Sequence, residues 1–263
     1  MDVSSQDRSP TVHNRRWYQY SLRSQLLFVT LCAIACSWLT VKIDRGKKQK
    51  AAVDALKAKG FTIAYDYEVD RDGKLVPNAA LNVPQWLRSW LGDDCFATVG
   101  RVAPPPRSFS VVGLFPIYPD VTDEDLGRVA ELPHLKFLWL SGERIGDSAL
   151  KRMRDLPELE RLYLENTEIT DAGLAMLKAF PNLRKLDVSY TNVTDGGMAD
   201  LLCLTRLEEI NLAQTFVTDR GLVMLQNLKT LKRLSFVGPG GTQVTPDGVA
   251  KFKQALPDCK VEN

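Results

Sequence analysis

Histidine is nearly absent from this chain, with two among 263 residues. His13 lies in a polar tail and His134 in a Leu-Pro-His-Leu corner, where a loop role is the default. No HExxH, GxSxG or CxxC occurs, so the common zinc, serine-nucleophile and dithiol chemistries lack their parts. Of five cysteines, Cys32 and Cys36 fall in an apolar run. Cys95, Cys203 and Cys259 remain, an odd number with neither metal-ligand spacing nor a disulfide framework. A net charge of +2 gives no strong steering toward nucleic acid. These absences point away from an enzyme, a metal site, a cofactor and a nucleic-acid partner.

Periodicity is what the chain has instead. Leu135, Leu159, Leu183, Leu207 and Leu231 recur every 24 residues, and so do Asp123, Asp147, Asp171, Asp195 and Asp219. Self-similarity at this period predicts a solenoid, in which each unit buries its apolar face against its neighbours. The unit opens with Leu159, Leu162 and Leu164, the pattern LxxLxL, whose end alternates as a short strand requires. Thr167, Ile169, Thr170-Asp171, Gly173, Leu174 and Leu177 follow, and Pro181 stops the helix. Later copies keep the order through Leu186, Val188, Thr191 and Thr194-Asp195, then Ile210, Leu212, Thr215 and Thr218-Asp219.

This skeleton resembles the leucine-rich repeat, in the 24-residue bacterial variety similar to the repeats of F-box-type leucine-rich proteins. The resemblance covers about residues 111 to 263. It implies an α/β fold, a leucine-rich-repeat solenoid with parallel strands on the concave face and helices on the convex face. Thr167, Thr191 and Thr215 stand where many such families place a turn asparagine, and their hydroxyls are expected to bond nearby backbone. Thr170, Thr194 and Thr218 sit at helix N-caps, with the following aspartate in the first turn, where a carboxylate suits the positive helix end. A ladder of calcium sites is the rival reading of these aspartates, but too few oxygens converge for a cation that takes six to eight.

The edges of the array are irregular. Val111, Leu114 and Val121-Thr122-Asp123 form a degenerate first unit, disturbed by Pro116 and Pro119. The Gly238-Pro239-Gly240-Gly241 insertion lacks the lysine of a phosphate loop and reads as a surface insertion. Beyond it, Thr245-Pro246-Asp247 starts a helix, and residues 255 to 261 look like a closing strand.

The first hundred residues differ in kind. Residues 1–21 are a polar basic tail and residues 22–43 a single transmembrane helix. The uncharged run Leu26–Val41 spans only about 24 Å as a helix, whereas Leu22–Ile43 reaches about 33 Å and crosses a core of roughly 30 Å. A cleaved signal peptide is the rival, though the n-region is long for one. A lipoprotein box at Cys36 and a twin-arginine signal at Arg15-Arg16 fit less well. The expected place is a cell membrane, single-pass. Basic residues flank both ends of the span, so the positive-inside rule assigns no side.

Residues 44–105 form a small α/β capping region. It starts as a basic helix over 44 to 59, with Val53 and Leu56 as its apolar stripe and Gly60 as its stop. Phe61, Ile63, Tyr65 and Tyr67 then alternate as a strand with one buried face. Asp70-Arg71-Asp72-Gly73 reads as a turn, since Ala79 stands where a calcium loop needs glutamate. A short helix over Pro84–Leu91 presents Trp86 and Trp90 on one face and is expected to close the first repeat. Ala103-Pro104-Pro105-Pro106-Arg107-Ser108 is the expected linker to the repeat domain, 106–263.

Function then falls to the concave face. Its third-position column reads Phe137, Arg161, Lys185, Glu209, Arg233, and its fifth reads Trp139, Tyr163, Asp187, Asn211, Ser235. Aromatics beside arginine are what an interface hot spot looks like. Phe137, Trp139, Arg161, Tyr163, Lys185, Asp187 and Asn211 are the candidate partner-binding residues. The bland alternative is that Phe137 and Trp139 are covered by the N-terminal cap. The expectation is a membrane-tethered, non-catalytic module that binds another protein or an envelope component and touches membrane lipid through its anchor. The F-box resemblance implies a second possibility, a substrate-recognition subunit, although no F-box is present.

Overall fold

The computed structural model describes residues 22–71, 74–77, 79–103, 108–109, 116–117, 123–140, 145–153, 156–237 and 243–262. The chain divides into two units, residues 1–42 and 43–263. Helix α1 (Leu22–Ala58) is continuous through the boundary. In the first unit Leu26, Phe28, Ile34 and Trp38 are exposed, and Leu39 is half-buried. The threonine hydroxyls bond inward, Thr30 to the carbonyls of Leu26 and Leu27 and Thr40 to that of Cys36.

In the second unit, α1 is followed by β1 (Thr62–Tyr65), α2 (Gln85–Leu91), β2 (Val99–Ala103), the short β3 (Ser108–Phe109) and β4 (Pro116–Ile117), and α3 (Asp123–Ala130). The array continues with β5 (Phe137–Trp139), α4 (Asp147–Arg152), β6 (Arg161–Tyr163), α5 (Asp171–Leu174) and β7 (Lys185–Asp187). It ends with β8 (Glu209–Asn211), α6 (Asp219–Leu225), β9 (Arg233–Ser235), α7 (Pro246–Ala255) and β10 (Lys260–Glu262). One sheet runs in the order β1-β2-β5-β6-β7-β8-β9-β10. All its neighbours are parallel except β1 and β2. The closing strand pairs with β9 but is shorter than the expected 255–261: β10 starts at Lys260, and Ala255 still belongs to α7.

Register follows the sequence period: Leu138, Leu162, Leu186, Ile210 and Leu234 are paired in succession and buried. Leu159, Leu164, Ile169, Leu174 and Leu177 complete the core of one unit, each fully enclosed. After β6, β7 and β8 the chain turns sharply, with Asn166, Tyr190 and Gln214 at φ of 55°, 57° and 55°. The buried threonine that follows closes the turn, Thr167 donating to the Leu164 carbonyl (2.7 Å), Thr191 to Val188 (2.6 Å) and Thr215 to Leu212 (2.7 Å).

The helical side is less regular than the strands. The segment after α5 (Ala175–Ala179) and the whole of Asp195–Cys203 are 3-10 helix. Gly196 and Gly197 are poor α-formers, and the tighter coil suits a short segment held at both ends. The N-caps are as expected: Thr170, Thr194 and Thr218 accept from the amides of Ala172, Gly196 and Arg220.

The aspartates do more than sit in a first turn. Asp147 accepts from the amide (2.9 Å) and hydroxyl (2.6 Å) of Thr170 in the next repeat. Asp171 holds Thr194, Asp195 holds Thr218 and Asp219 holds Thr245 in the same way. Each carboxylate therefore fastens its repeat to the following N-cap. The glycine of Thr-Asp-x-Gly makes room for it, because a Cβ at Gly197 would lie 2.7 Å from Asp171 Oδ1 and one at Gly221 2.6 Å from Asp195 Oδ1.

At the N-terminal end several expectations are revised. The face Phe61, Ile63, Tyr65, Tyr67 does not extend as one strand. β1 ends at Tyr65, its register shifts between Ala64 and Tyr65, and Asp66–Glu68 is a 3-10 turn. Phe61 and Ala64 are buried while Ile63 and Tyr65 are half-buried. The slot beside β5 is filled by β2, while Val111, Leu114, Val121 and Thr122 lie outside the described residues. Ala103 belongs to β2 and so is no linker residue, while residues 104–107 lie outside the described ones. The Gly238–Gly241 insertion is also outside them.

The closure of the first repeat is not made by Trp86, which is 69% exposed. It is made by the end of α1. Ala52, Val53 and Leu56 join Phe61, Val99, Leu126 and Leu135 in one buried cluster that continues through the repeats. Lys59, just past α1, pairs at 2.7 Å with the buried carboxylate of Asp125 on α3. The helix over 44–59 and its stop at Gly60 (φ 86°) are otherwise as expected.

Candidate partner-binding face

The parallel register turns the two sequence columns into rows on the outer side of the strands. Phe137, Arg161, Lys185, Glu209 and Arg233 are successive Cα partners, and so are Trp139, Tyr163, Asp187, Asn211 and Ser235. Side chains in one row lie a strand spacing apart, about 4.8 Å, close enough to stack or pair. The two halves of the face use this closeness differently.

At the N-terminal end, Trp139 and Tyr163 are stacked with ring centroids 5.0 Å apart and planes 29° from parallel. Trp139 remains 37% exposed. Phe137 and Arg161 are not free in the same way, since each is only 8% exposed. The Arg161 guanidinium lies 5.2 Å above the Phe137 ring, and its Nη2 donates to the Arg71 carbonyl at 2.6 Å. Arg71 belongs to a hairpin in which Val69 and Leu75 form an antiparallel bridge and Lys74 N–H donates to Asp70 Oδ1. Phe137 and Arg161 thus form a floor under this hairpin rather than exposed contact residues, so covering by the cap holds for Phe137 and not for Trp139.

The hairpin borders two clefts. One of about 190 Å³ is lined by Lys74, Arg101, Val102, Phe137, Trp139 and Tyr163. Another of about 590 Å³ is lined by Asp70, Arg71, Lys136, Arg161, Lys185 and Glu209 among others. Arg71, Lys74 and Arg101 line these clefts and were not among the candidates read from the sequence. The only sequence signal was the turn Asp70–Gly73, and nothing local says that this turn reaches a strand about ninety residues away, the separation of Arg71 from Arg161.

Toward the C-terminal end the polar groups satisfy one another. Asp187 Oδ1 accepts from the amide and hydroxyl of Ser189, and its Oδ2 accepts from Asn211 Nδ2 at 2.9 Å. Lys185 pairs with Glu209 at 2.8 Å. Beside them Glu208 takes both Lys232 and Arg184, and the Lys232 hydrogen bond, aided by the nearby cations against some burial, holds its carboxyl below the ordinary value. A ligand here must compete with internal bonds, whereas the aromatic pair offers contact area without breaking any. Burial of large, rigid aromatic surface is the commonest source of interface energy.

Among the described residues no group of three or more His, Cys, Asp and Glu could hold a metal. The aspartate ladder is accounted for by its threonines. Cys259 is buried, which pushes its thiol up to about 11, and His134 Nδ1 meets Glu158 at 2.7 Å on the surface.

A family model described as "Leucine Rich repeat" matches residues 181–202, the span from Pro181 through β7, the Thr194 N-cap and most of the 3-10 segment. The fold is that of a leucine-rich-repeat protein. No curated protein sequence matches the chain. Similar solved structures include a leucine-rich-repeat protein of Leptospira interrogans, at 22% identity and a TM-score of 0.42 over 52% of this chain and 33% of that one. An internalin of Listeria monocytogenes is similar at 16% identity and a TM-score of 0.36 over 53% of this chain and 44% of that one. The chain matches less than half the length of either.

Proposed function

We propose that this protein is a membrane-tethered, non-catalytic module that binds another protein or an envelope component on the strand face of its repeats. The observation that carries the reading is the stacked Trp139–Tyr163 pair, partly exposed on the strand face beside a covered Phe137. Trp139 and Tyr163 supply the main contact area. Lys74 and Arg101 border it, and Lys185, Asp187 and Asn211 form a polar flank that fixes orientation. Phe137 and Arg161 act from beneath, by holding the hairpin that borders the cleft.

The tether is α1. Its first half is long and apolar enough to cross a membrane, a property it shares with signal sequences, and its side chains there are unburied by protein. Lys42 lies 5.6 Å from the Trp38 ring, the kind of cation–aromatic pair found at the headgroup boundary. Replacing both Trp139 and Tyr163 by alanine is expected to abolish cross-linking of the full chain to its partner in intact cells while leaving the melting temperature nearly unchanged. Undiminished cross-linking by the double variant would remove this face from consideration.

A further inference from the structure

We propose that the cap makes a second, peripheral contact with the membrane, in which Trp86, Lys47 and Lys48 seat the folded domain on an anionic lipid surface. This rests on the reading of residues 22–43 as a span. Trp86 is the observation that asks for an explanation. It is 69% exposed, more than any other large apolar side chain described in residues 43–263. It is not a core residue out of place, because the same helix packs through the half-buried Leu87 and Leu91. An indole has an apolar body and one N–H donor, which is why tryptophan gathers where lipid meets water.

The tie between α2 and the start of α1's second half argues for lipid as the occupant. At its end Gly92 (φ 83°) turns the chain into the segment Asp93–Cys95. Arg88 locks helix and segment together by two bonds of 2.7 Å to the Asp93 carboxylate. That segment packs against α1 at Gly46, where a Cβ would lie 2.8 Å from Cys95 Sγ and 3.1 Å from the Asp94 carbonyl. Gln49 adds a bond of 2.9 Å to the Ala97 carbonyl.

Gly46 is three residues past Ile43, so chain connectivity alone keeps it within about 11 Å of the end of the span. The headgroup layer on each side of a bilayer is about 5–7 Å deep. Trp86 is five helical residues before Leu91, about 8 Å along α2. The exposed indole is therefore carried by an element tied to α1 three residues past Ile43.

Charge agrees with this placement. Lys47 and Lys48 are exposed in the same stretch of α1, and the ion pair of Lys48 with Asp44 at 3.0 Å is widely open to solvent. Basic side chains just beyond a span are drawn to anionic lipid, and a tryptophan beside them adds an apolar contact.

The test uses the full chain reconstituted into vesicles of phosphatidylglycerol and phosphatidylcholine with brominated acyl chains. The emission due to Trp86 is obtained as the difference between the natural chain and Trp86→Phe, and that of Trp38 from Trp38→Phe. The account expects the Trp86 emission to be blue-shifted, shielded from acrylamide and quenched by the brominated lipid. It expects a return toward the aqueous spectrum in Lys47→Glu/Lys48→Glu or in purely zwitterionic vesicles. An aqueous, acrylamide-accessible Trp86 overturns the contact. Shielding from acrylamide without quenching by bromine also overturns it, in favour of a protein occupant. Trp38 separates the two readings: quenched Trp38 with unquenched Trp86 leaves the anchor standing and removes the contact, and neither quenched removes both.

Discussion

The repeat array and the cap solve the same problem, enclosing a row of leucines, by opposite means. In the array every device appears several times. The Asp171–Thr194 fastening is repeated one unit later by Asp195–Thr218 and again by Asp219–Thr245. Among the described residues the cap uses a different device at each place: Leu56 fills the core, Lys59 pairs with the buried Asp125, and Arg161 donates to a hairpin carbonyl. Redundancy makes the array tolerant of local damage, and uniqueness makes the cap the place where a single change is felt.

The sharpest way to break this contrast is Leu56→Ala. A fully enclosed leucine cut to alanine costs about 2–5 kcal/mol. Here the loss should appear as amide exchange at β2 and β5 well before β8 and β9, measured by hydrogen–deuterium exchange. Uniform exchange along the sheet would mean that the cap is not a separate weak point.

Next in size is Asp195→Ala, which removes acceptors for the Thr218 amide, the Thr218 hydroxyl and the Gly221 amide. Bonds to a charged group contribute about 1.5–3 kcal/mol each when well formed, so a partly exposed set should cost about 3 kcal/mol in a denaturant titration. Asp200→Ala, on an exposed convex position, is the control and should stay within about 0.5 kcal/mol. Equal effects would show that the ladder is incidental.

Gly197→Ala follows, at about 2 kcal/mol, because the new methyl meets Asp171 Oδ1 and Leu174 Cδ1 at 2.7 Å. Combining it with Asp171→Ala should recover part of that loss in the same titration.

The smallest effect concerns Glu208, whose carboxyl is held below its ordinary value chiefly by Lys232. A depressed carboxylate stabilises the fold above its unfolded-state value and loses that contribution as pH falls through the folded one. The natural chain should therefore melt slightly above Glu208→Gln at pH 7, by less than about 1 kcal/mol for so exposed a pair. The gap should close below the ordinary value of 4.5. A gap that persists to acid pH would contradict the assignment.

How much of this could be read beforehand follows the same division. Leu159, Leu162, Leu164 and their copies were legible because each unit could be checked against the next. The capping role of Thr194 was legible because it is local. The clamp of Asp171 on Thr194 was missed although its fixed spacing was visible, since the aspartate already had a sufficient local role at its own helix end. β2 was missed because Val99, Gly100, Val102 and Ala103 are covered on both faces and give no alternation. Trp86 was misread because its apolar character implied burial, while Leu56, on a helix that looked like a basic stalk, closes the core instead. The covering of Phe137 depends on a hairpin far away in sequence, which no local pattern encodes.

The central claim is that the strand face around Trp139 and Tyr163 meets a partner, and the helical face does not. A photo-reactive amino acid placed at Trp139 in the full chain, with a matched variant at the exposed Val223 on α6, tests it in living cells. The account predicts a discrete covalent adduct from position 139 on illumination and none from position 223. Adducts from 223 alone, or the same adducts from both, would contradict it.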